Sequence, residues 1–148
     1  MTKKILAIIF LFLFILHSLV LHSIVASAQE FKYVEIFDPK QDKVVKLVQL
    51  NEDINNMVTT WIKDVDGLYG KSNPITNDGY AIRVPLDPEV RLQGKWLNAL
   101  VNNVYIIIPE KDVPFFIIFD DDNKLFCYPF KGDINELSKV LNFKLKDK

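Results

Sequence analysis

The sequence predicts an α+β domain in which a mostly antiparallel sheet packs against one main amphipathic helix, with an N-terminal β-hairpin and a short C-terminal helix. Two observations carry this prediction. Short β-rich runs follow one another through connections too short for parallel crossovers. Residues 54–65 place apolar side chains at steps of three and four, the pattern of a helix that covers one face of a sheet.

Residues 1–28 have the pattern of a secretory signal peptide. A basic start, Lys3-Lys4, precedes an almost wholly apolar run over residues 5–25, and Ala26-Ser27-Ala28 then supplies the small-x-small pattern that signal peptidases accept. An uncleaved membrane anchor formed by residues 5–25 is the alternative, because the run is long enough to span a bilayer of about 30 Å. Both interpretations predict one small extracytoplasmic domain, residues 29–148.

The first elements after the leader are a hairpin and a helix. β-rich runs at residues 31–37 and 44–50 flank the turn formers of residues 38–42, which predicts a hairpin with a five-residue loop. Asn51 is placed to cap the helix that follows. The apolar stripe of this helix is expected to cover the sheet, and consists of Ile54, Met57, Val58, Trp61, Ile62 and Val65.

The middle of the chain is punctuated by glycines and prolines. Gly67 and Gly70 are expected to end the helix, with Gly67 available for a left-handed cap. After a long polar loop, residues 80–84 alternate as a strand, which residues 85–88 are expected to end because they contain two prolines. Residues 90–101 are ambiguous between a helical turn and irregular surface structure.

Three further strands and a closing helix complete the prediction. The strands are expected at residues 104–108, 115–119 and 125–128, with the last two joined as a hairpin. Asp133 is placed to cap a short helix. The inner face of that helix is expected to carry Ile134, Leu137, Val140 and Leu141.

Composition excludes several classes of function. Without Lys3 and Lys4, 16 basic side chains face 19 acidic ones, a net charge of −3, and the dense basic face that nucleic acid requires is missing. Both histidines, His17 and His22, lie in the leader, so the domain lacks the imidazole of the usual Ser-His-Asp, Cys-His and zinc sites. The glycines form no nucleotide-binding fingerprint, and no cofactor is expected. Cys127 is the single cysteine and is expected to be a buried small hydrophobe rather than a nucleophile or an intermolecular bridge.

The loop between the main helix and the third strand is the candidate binding site. Tyr69, Lys71, Asn73 and Tyr80 combine amphipathic rings with polar groups, and loops carried by a rigid scaffold often bind partners. An exposed strand edge is an alternative contact surface. The simpler interpretation is a loop that only connects the helix to the sheet.

Asp120, Asp121 and Asp122 form the densest acidic cluster in the sequence. Carboxylate oxygens on a tight loop are ligands for calcium, which makes the cluster a candidate metal site. The favoured interpretation is a solvated hairpin turn, because Asp and Asn stabilise turns through local hydrogen bonds.

These observations predict a secreted or envelope-associated binding or interaction module that is not an enzyme. Frequent Lys, Asn and Ile with little Arg and Gly indicates an AT-rich bacterial gene. The expected partner is a protein or a cell-envelope component, with membrane contact only through an uncleaved leader. Two alternatives stay open: a hydrolase that uses two carboxylates roughly 5 to 9.5 Å apart, and an inhibitor or folding factor for another exported protein.

Overall fold

The β-rich runs and the apolar helix stripe form six strands and two helices in the computed structural model, which describes residues 31–70 and 76–145. The elements of these described ranges, in chain order, are β1 (Tyr33–Asp38), β2 (Lys43–Gln49), α1 (Glu52–Lys63), β3 (Tyr80–Gln93), β4 (Asn98–Ile108), β5 (Phe115–Phe119), β6 (Leu125–Pro129) and α2 (Ile134–Val140). The predicted leader, residues 1–28, lies outside the described residues. Neither helix of the described ranges is long and apolar enough to cross a membrane.

The six strands form one sheet in the order β2-β1-β3-β4-β5-β6, and every neighbouring pair is antiparallel. All neighbours are consecutive in the chain except β1 and β3, which β2 and α1 separate. The predicted α+β class, with an antiparallel sheet, one main helix and a short C-terminal helix, is confirmed.

The start and the packing of α1 follow from local sequence signals. The Asn51 side chain accepts a hydrogen bond from the Ile54 backbone N–H at 2.9 Å and so satisfies an amide of the first turn. Ile54, Val58 and Ile62 are buried against the sheet, and the rest of the predicted stripe packs around them. Burial of each of these large apolar side chains contributes roughly 1.5–3 kcal/mol. The predicted role of the stripe is confirmed.

The prediction that Gly67 ends the helix in a left-handed conformation is wrong. α1 stops at Lys63, and Asp64 caps it with φ −89° and ψ 12°. Among the described glycines, Gly79 is the one with a positive φ. The helix ends early because its fully buried stripe stops at Ile62, so another turn would gain little burial to offset its loss of conformational entropy.

β3 continues through the prolines that were expected to end it. Pro85 still pairs with Asn103 of β4, and pairing resumes at Val90 after a shift of register. The N–H of Asp87, which lies in the shifted segment, donates instead to the Oδ1 atom of Asn55 in α1 at 3.0 Å. Proline is tolerated here because a bulged segment does not need every N–H in the ladder.

The ambiguous residues 90–101 form the end of β3, a short turn and the start of β4, and they contain no helix. The last residues of β3 pair with the first of β4, and Gly94 N–H donates to the Leu97 carbonyl oxygen at 2.9 Å in the connecting turn. Leu92 and Ala99 are buried opposite each other, whereas Leu100 is exposed. Buried and exposed side chains therefore alternate here with the two-residue period of a strand.

The core lies between the sheet and the two helices. α2 begins at Asp133, whose side chain accepts from the backbone N–H of Asn135 at 2.7 Å and of Glu136 at 3.3 Å. Leu137 and Leu141 are buried, as predicted for the inner face of α2. The helices therefore cover one face of the sheet.

Candidate functional site

The other face of the sheet is covered by neither helix, and we call it the open face. Its part on β4 to β6 is not fully exposed, because Ile107, Phe115 and Cys127 are buried in a small apolar cluster that includes Tyr69. Strand pairing aligns its side chains in two rows that cross all six strands, because alternate residues of a strand point to the same side. The first row is Leu47, Glu35, Arg83, Tyr105, Ile117 and Cys127, and the second is Val44, Phe37, Ala81, Ile107, Phe115 and Pro129. Tyr33, Phe119 and Leu125 extend the open face along their strands.

Large apolar side chains on this side of the sheet are exposed. Leu47 has 59% of its surface accessible, although it lies within β2. The strand residues with large exposed apolar side chains, all pointing away from the helices, are Tyr33, Val44, Leu47, Leu100, Phe119 and Leu125. They lie in two groups, one on β1 and β2 and the other on β4 to β6. Exposed apolar patches mark interaction sites in soluble proteins.

An ion pair lies near the middle of the open face. The Arg83 Nη2 atom donates to Glu35 Oε1 at 2.7 Å, and Arg83 Nη1 donates to Asn103 Oδ1 at 3.0 Å. The hydrogen bond from Arg83 holds the pKa of Glu35 below its ordinary value, and the same bond raises the pKa of Arg83. Both side chains remain 35% exposed, so the pair can still contact a partner.

A groove of about 350 Å³ runs along the second row. Its floor consists of apolar side chains from four neighbouring strands, and its walls come from the β1–β2 turn and the segment before β3. The lining residues are Phe37, Pro39, Asp42, Thr76, Asn77, Ala81, Ile107 and Ile117. This groove is a preformed apolar depression in the open face.

Two of the predicted binding residues, Tyr69 and Tyr80, are described by the structure. Of these two, Tyr69 lies on the open face. The Tyr69 ring stacks on Phe115 at 5.0 Å between centroids, and its backbone N–H donates to the Cys127 carbonyl oxygen at 2.8 Å. Tyr80 packs on the helix-covered side, with its ring 5.1 Å from that of Phe143. The two tyrosines do not share a surface, because the parity of β3 points Tyr80 toward the helices.

The other two candidates of that loop, Lys71 and Asn73, lie outside the described residues.

Sequence reasoning missed Glu35, Arg83 and Phe37 as surface candidates. The sequence does contain one signal for an apolar surface on this side of the sheet. All residues from Phe115 to Phe119 are apolar, so both faces of this strand carry apolar side chains, which indicates apolar surroundings on both faces.

The acidic cluster stabilises turns and a hairpin. Asp120 Oδ1 accepts from the backbone N–H of Asp122 at 2.9 Å and of Lys124 at 2.8 Å. The Asp121 side chain points toward β3 and β4, where it accepts hydrogen bonds from the Leu100 N–H at 2.8 Å and from Arg91 at 2.7 Å. These bonds lower the pKa of Asp121, and the bond from Leu100 is the main cause. Within residues 31–70 and 76–145, no three potential ligands converge on one point where a metal ion could sit.

A second cavity, of about 680 Å³, lies at one end of the sheet and holds two acids, Asp38 and Glu110. Asp38 accepts hydrogen bonds from the Lys40 N–H at 2.8 Å and from the Gln41 side chain at 2.5 Å, and the latter is the main cause of its lowered pKa. Glu110 is paired with Lys40. A carboxylate general acid needs a raised pKa, so Asp38 is not suited to the general-acid role of the hydrolase alternative.

No protein-family model, curated protein or solved structure matches this chain. Function is therefore inferred from the surfaces of the domain.

The expected role of Cys127 as a small buried hydrophobe is confirmed, since the residue is 9% exposed and burial raises the pKa of its thiol. A neutral buried thiol is a poor nucleophile, so Cys127 does not indicate a catalytic site. The open face is the candidate functional surface.

Proposed function

We propose that this chain is a non-catalytic binding domain that acts outside the membrane and contacts its partner through the open face. The observation that carries the proposal is the set of exposed apolar strand residues on the side of the sheet that lacks helices. Covering apolar surface gains about 25 cal/mol per Å², so a partner that fits this face gains free energy without any chemical step.

The ion pair adds orientation to this apolar contact. Glu35 and Arg83 are held to each other at 2.7 Å, with Leu47 and Tyr105 on either side of them in the same row. Apolar contacts supply affinity, whereas fixed charges within them discriminate between partners and set the register of docking. This combination is typical of a recognition surface.

Site-specific photo-crosslinking tests the open face. A photoreactive amino acid at Leu47 in the chain expressed in its own host is expected to form a discrete adduct on irradiation. Asn56 is the matched control, because it is exposed on α1, on the opposite side of the sheet. Adducts of equal yield at both positions, or none at Leu47, would contradict the proposal.

Export is tested separately. The pattern of residues 1–28 supports a location outside the membrane, with cleavage after Ala28. Protein recovered from the medium or the cell envelope is expected to begin at Gln29 on N-terminal sequencing, or at Met1 if the leader is an anchor. Soluble cytosolic protein that still begins at Met1 would refute the location.

A further inference from the structure

We propose that the partner of the open face is a second copy of this chain, packed sheet on sheet about a two-fold axis. This inference rests on the proposed role of the open face as a contact surface. It is carried by the arrangement of Glu35 and Arg83, which lie directly opposite each other on neighbouring strands β1 and β3.

A two-fold axis that runs parallel to the strands, in the plane between two facing sheets, reverses the order of the strands. When this axis passes between β1 and β3, β1 of one copy lies over β3 of the other. Glu35 then faces Arg83 of the second copy, and Arg83 faces Glu35. The interface forms two such contacts by symmetry, because a two-fold interface pairs each residue reciprocally.

The neighbouring side chains are complementary in size under the same operation. Phe37 pairs with Ala81 across the two strands, so each Phe37 ring would lie over the small Ala81 side chain of the other copy. Leu47 would lie over Tyr105, since each is one strand further out in the same row. The contact of Phe37 with Ala81 places a large side chain over a small one, which suits facing sheets at about 10 Å separation.

The charge of the open face disfavours other kinds of partner. Its two rows carry one acid and one base, Glu35 and Arg83, and so have no net charge. Nucleic acid and anionic membranes bind to surfaces with an excess of basic side chains. A surface of zero net charge with adjacent opposite charges is complementary to itself.

Reciprocal charge reversal tests the inference. A chain that begins at Gln29 keeps every buried apolar residue of the described ranges, from Val34 to Leu145, and is expected to form a reversible dimer in sedimentation equilibrium. E35R and R83E each place like charges in both contacts, and each is expected to raise the dissociation constant of the dimer at least about tenfold.

An equimolar mixture of E35R and R83E is the decisive sample. The new basic side chain of the E35R chain then faces the new acidic side chain of the R83E chain. The unchanged Arg83 of the first chain likewise faces the unchanged Glu35 of the second, so the mixture is expected to recover most of the dimer. The repulsion within each chain is the same before and after mixing, which means that recovery reports contacts between chains. A mixture no more dimeric than its separate components would overturn the inference.

A second pair of variants guards against misfolding. L47D adds a charge at an exposed site of the open face, and N56D adds the same charge on α1. L47D is expected to abolish the dimer and N56D to preserve it. A parent chain that stays monomeric at about 0.3 mM, a concentration that would populate even a weak dimer, also overturns the inference. The proposed function survives that result if the Leu47 crosslink to another molecule persists.

Discussion

Replacing Gly79 by alanine is expected to remove a large part of the stability of the domain. The φ of Gly79 is 74°, and this left-handed conformation costs other residues roughly 1–2 kcal/mol. An added Cβ would lie 1.9 Å from the Ile108 carbonyl oxygen, whereas real Cβ contacts stay beyond 3.0 Å. Ile108 is held in the ladder opposite Tyr80, so relief of the clash adds about 1–3 kcal/mol of strain. The sum of about 2–5 kcal/mol is a large share of the 5–15 kcal/mol typical of a domain.

Urea unfolding followed by tryptophan emission measures this loss. Gly67→Ala is the matched control, because a Cβ at Gly67 meets nothing within 4 Å, and the change is expected to stay within about 1 kcal/mol. Gly79→Asn separates the two causes, since asparagine tolerates a positive φ but keeps the clash. A Gly79→Ala protein within about 0.5 kcal/mol of the parent would refute the reasoning.

Three further predictions concern local contacts. Asn51→Ala is expected to cost about 1 kcal/mol in urea unfolding through loss of the cap, while Asn56→Ala on the exposed side of α1 costs nothing; equal losses would contradict this. The Tyr128 hydroxyl donates to the Trp96 carbonyl oxygen at 3.2 Å, so Tyr128→Phe is expected to cost about 1 kcal/mol. Burial raises the pKa of Tyr128 from 10.0 to about 12, so its contribution to stability is complete below pH 10 and is lost as pH rises to 12; the phenylalanine variant should lose less stability over that range. Cys127, whose thiol pKa is raised by burial, is expected to react with a thiol reagent at pH 8 far more slowly in the native protein than in urea, and equal rates would show that the thiol is accessible.

Much of the fold can be predicted from the sequence because its signals are local. The cap at Asn51 and the apolar stripe of α1 lie within fifteen consecutive residues, and helix periodicity does not depend on distant parts of the chain. The β1–β2 hairpin and the Asp133 cap are equally local. These elements are confirmed for that reason.

The errors arise where distant contacts decide the structure. β3 passes through Pro85 because α1 supplies a partner for the backbone N–H of Asp87, which no pattern around the prolines indicates. The candidates Tyr69 and Tyr80 are close in sequence but lie on different faces, because the register of β3 with β4 places Tyr80 on the helix-covered face. The pairing of Glu35 with Arg83 likewise depends on strand order, which local sequence does not specify.

The position of β1 beside β3 makes the β1–β3 seam the long-range step in assembling the sheet. Hairpins with short loops close β1–β2 and the series β3 to β6, but the β1–β3 seam joins Glu35 and Arg83, 48 residues apart. Closing so long a loop costs more chain entropy than any of the hairpins. We expect seam substitutions such as Ile36→Val and Ile82→Val, which lie in register, to slow refolding in stopped-flow experiments, whereas substitutions within β5–β6 accelerate unfolding. The seam would thus set how fast a newly made chain becomes resistant to proteases.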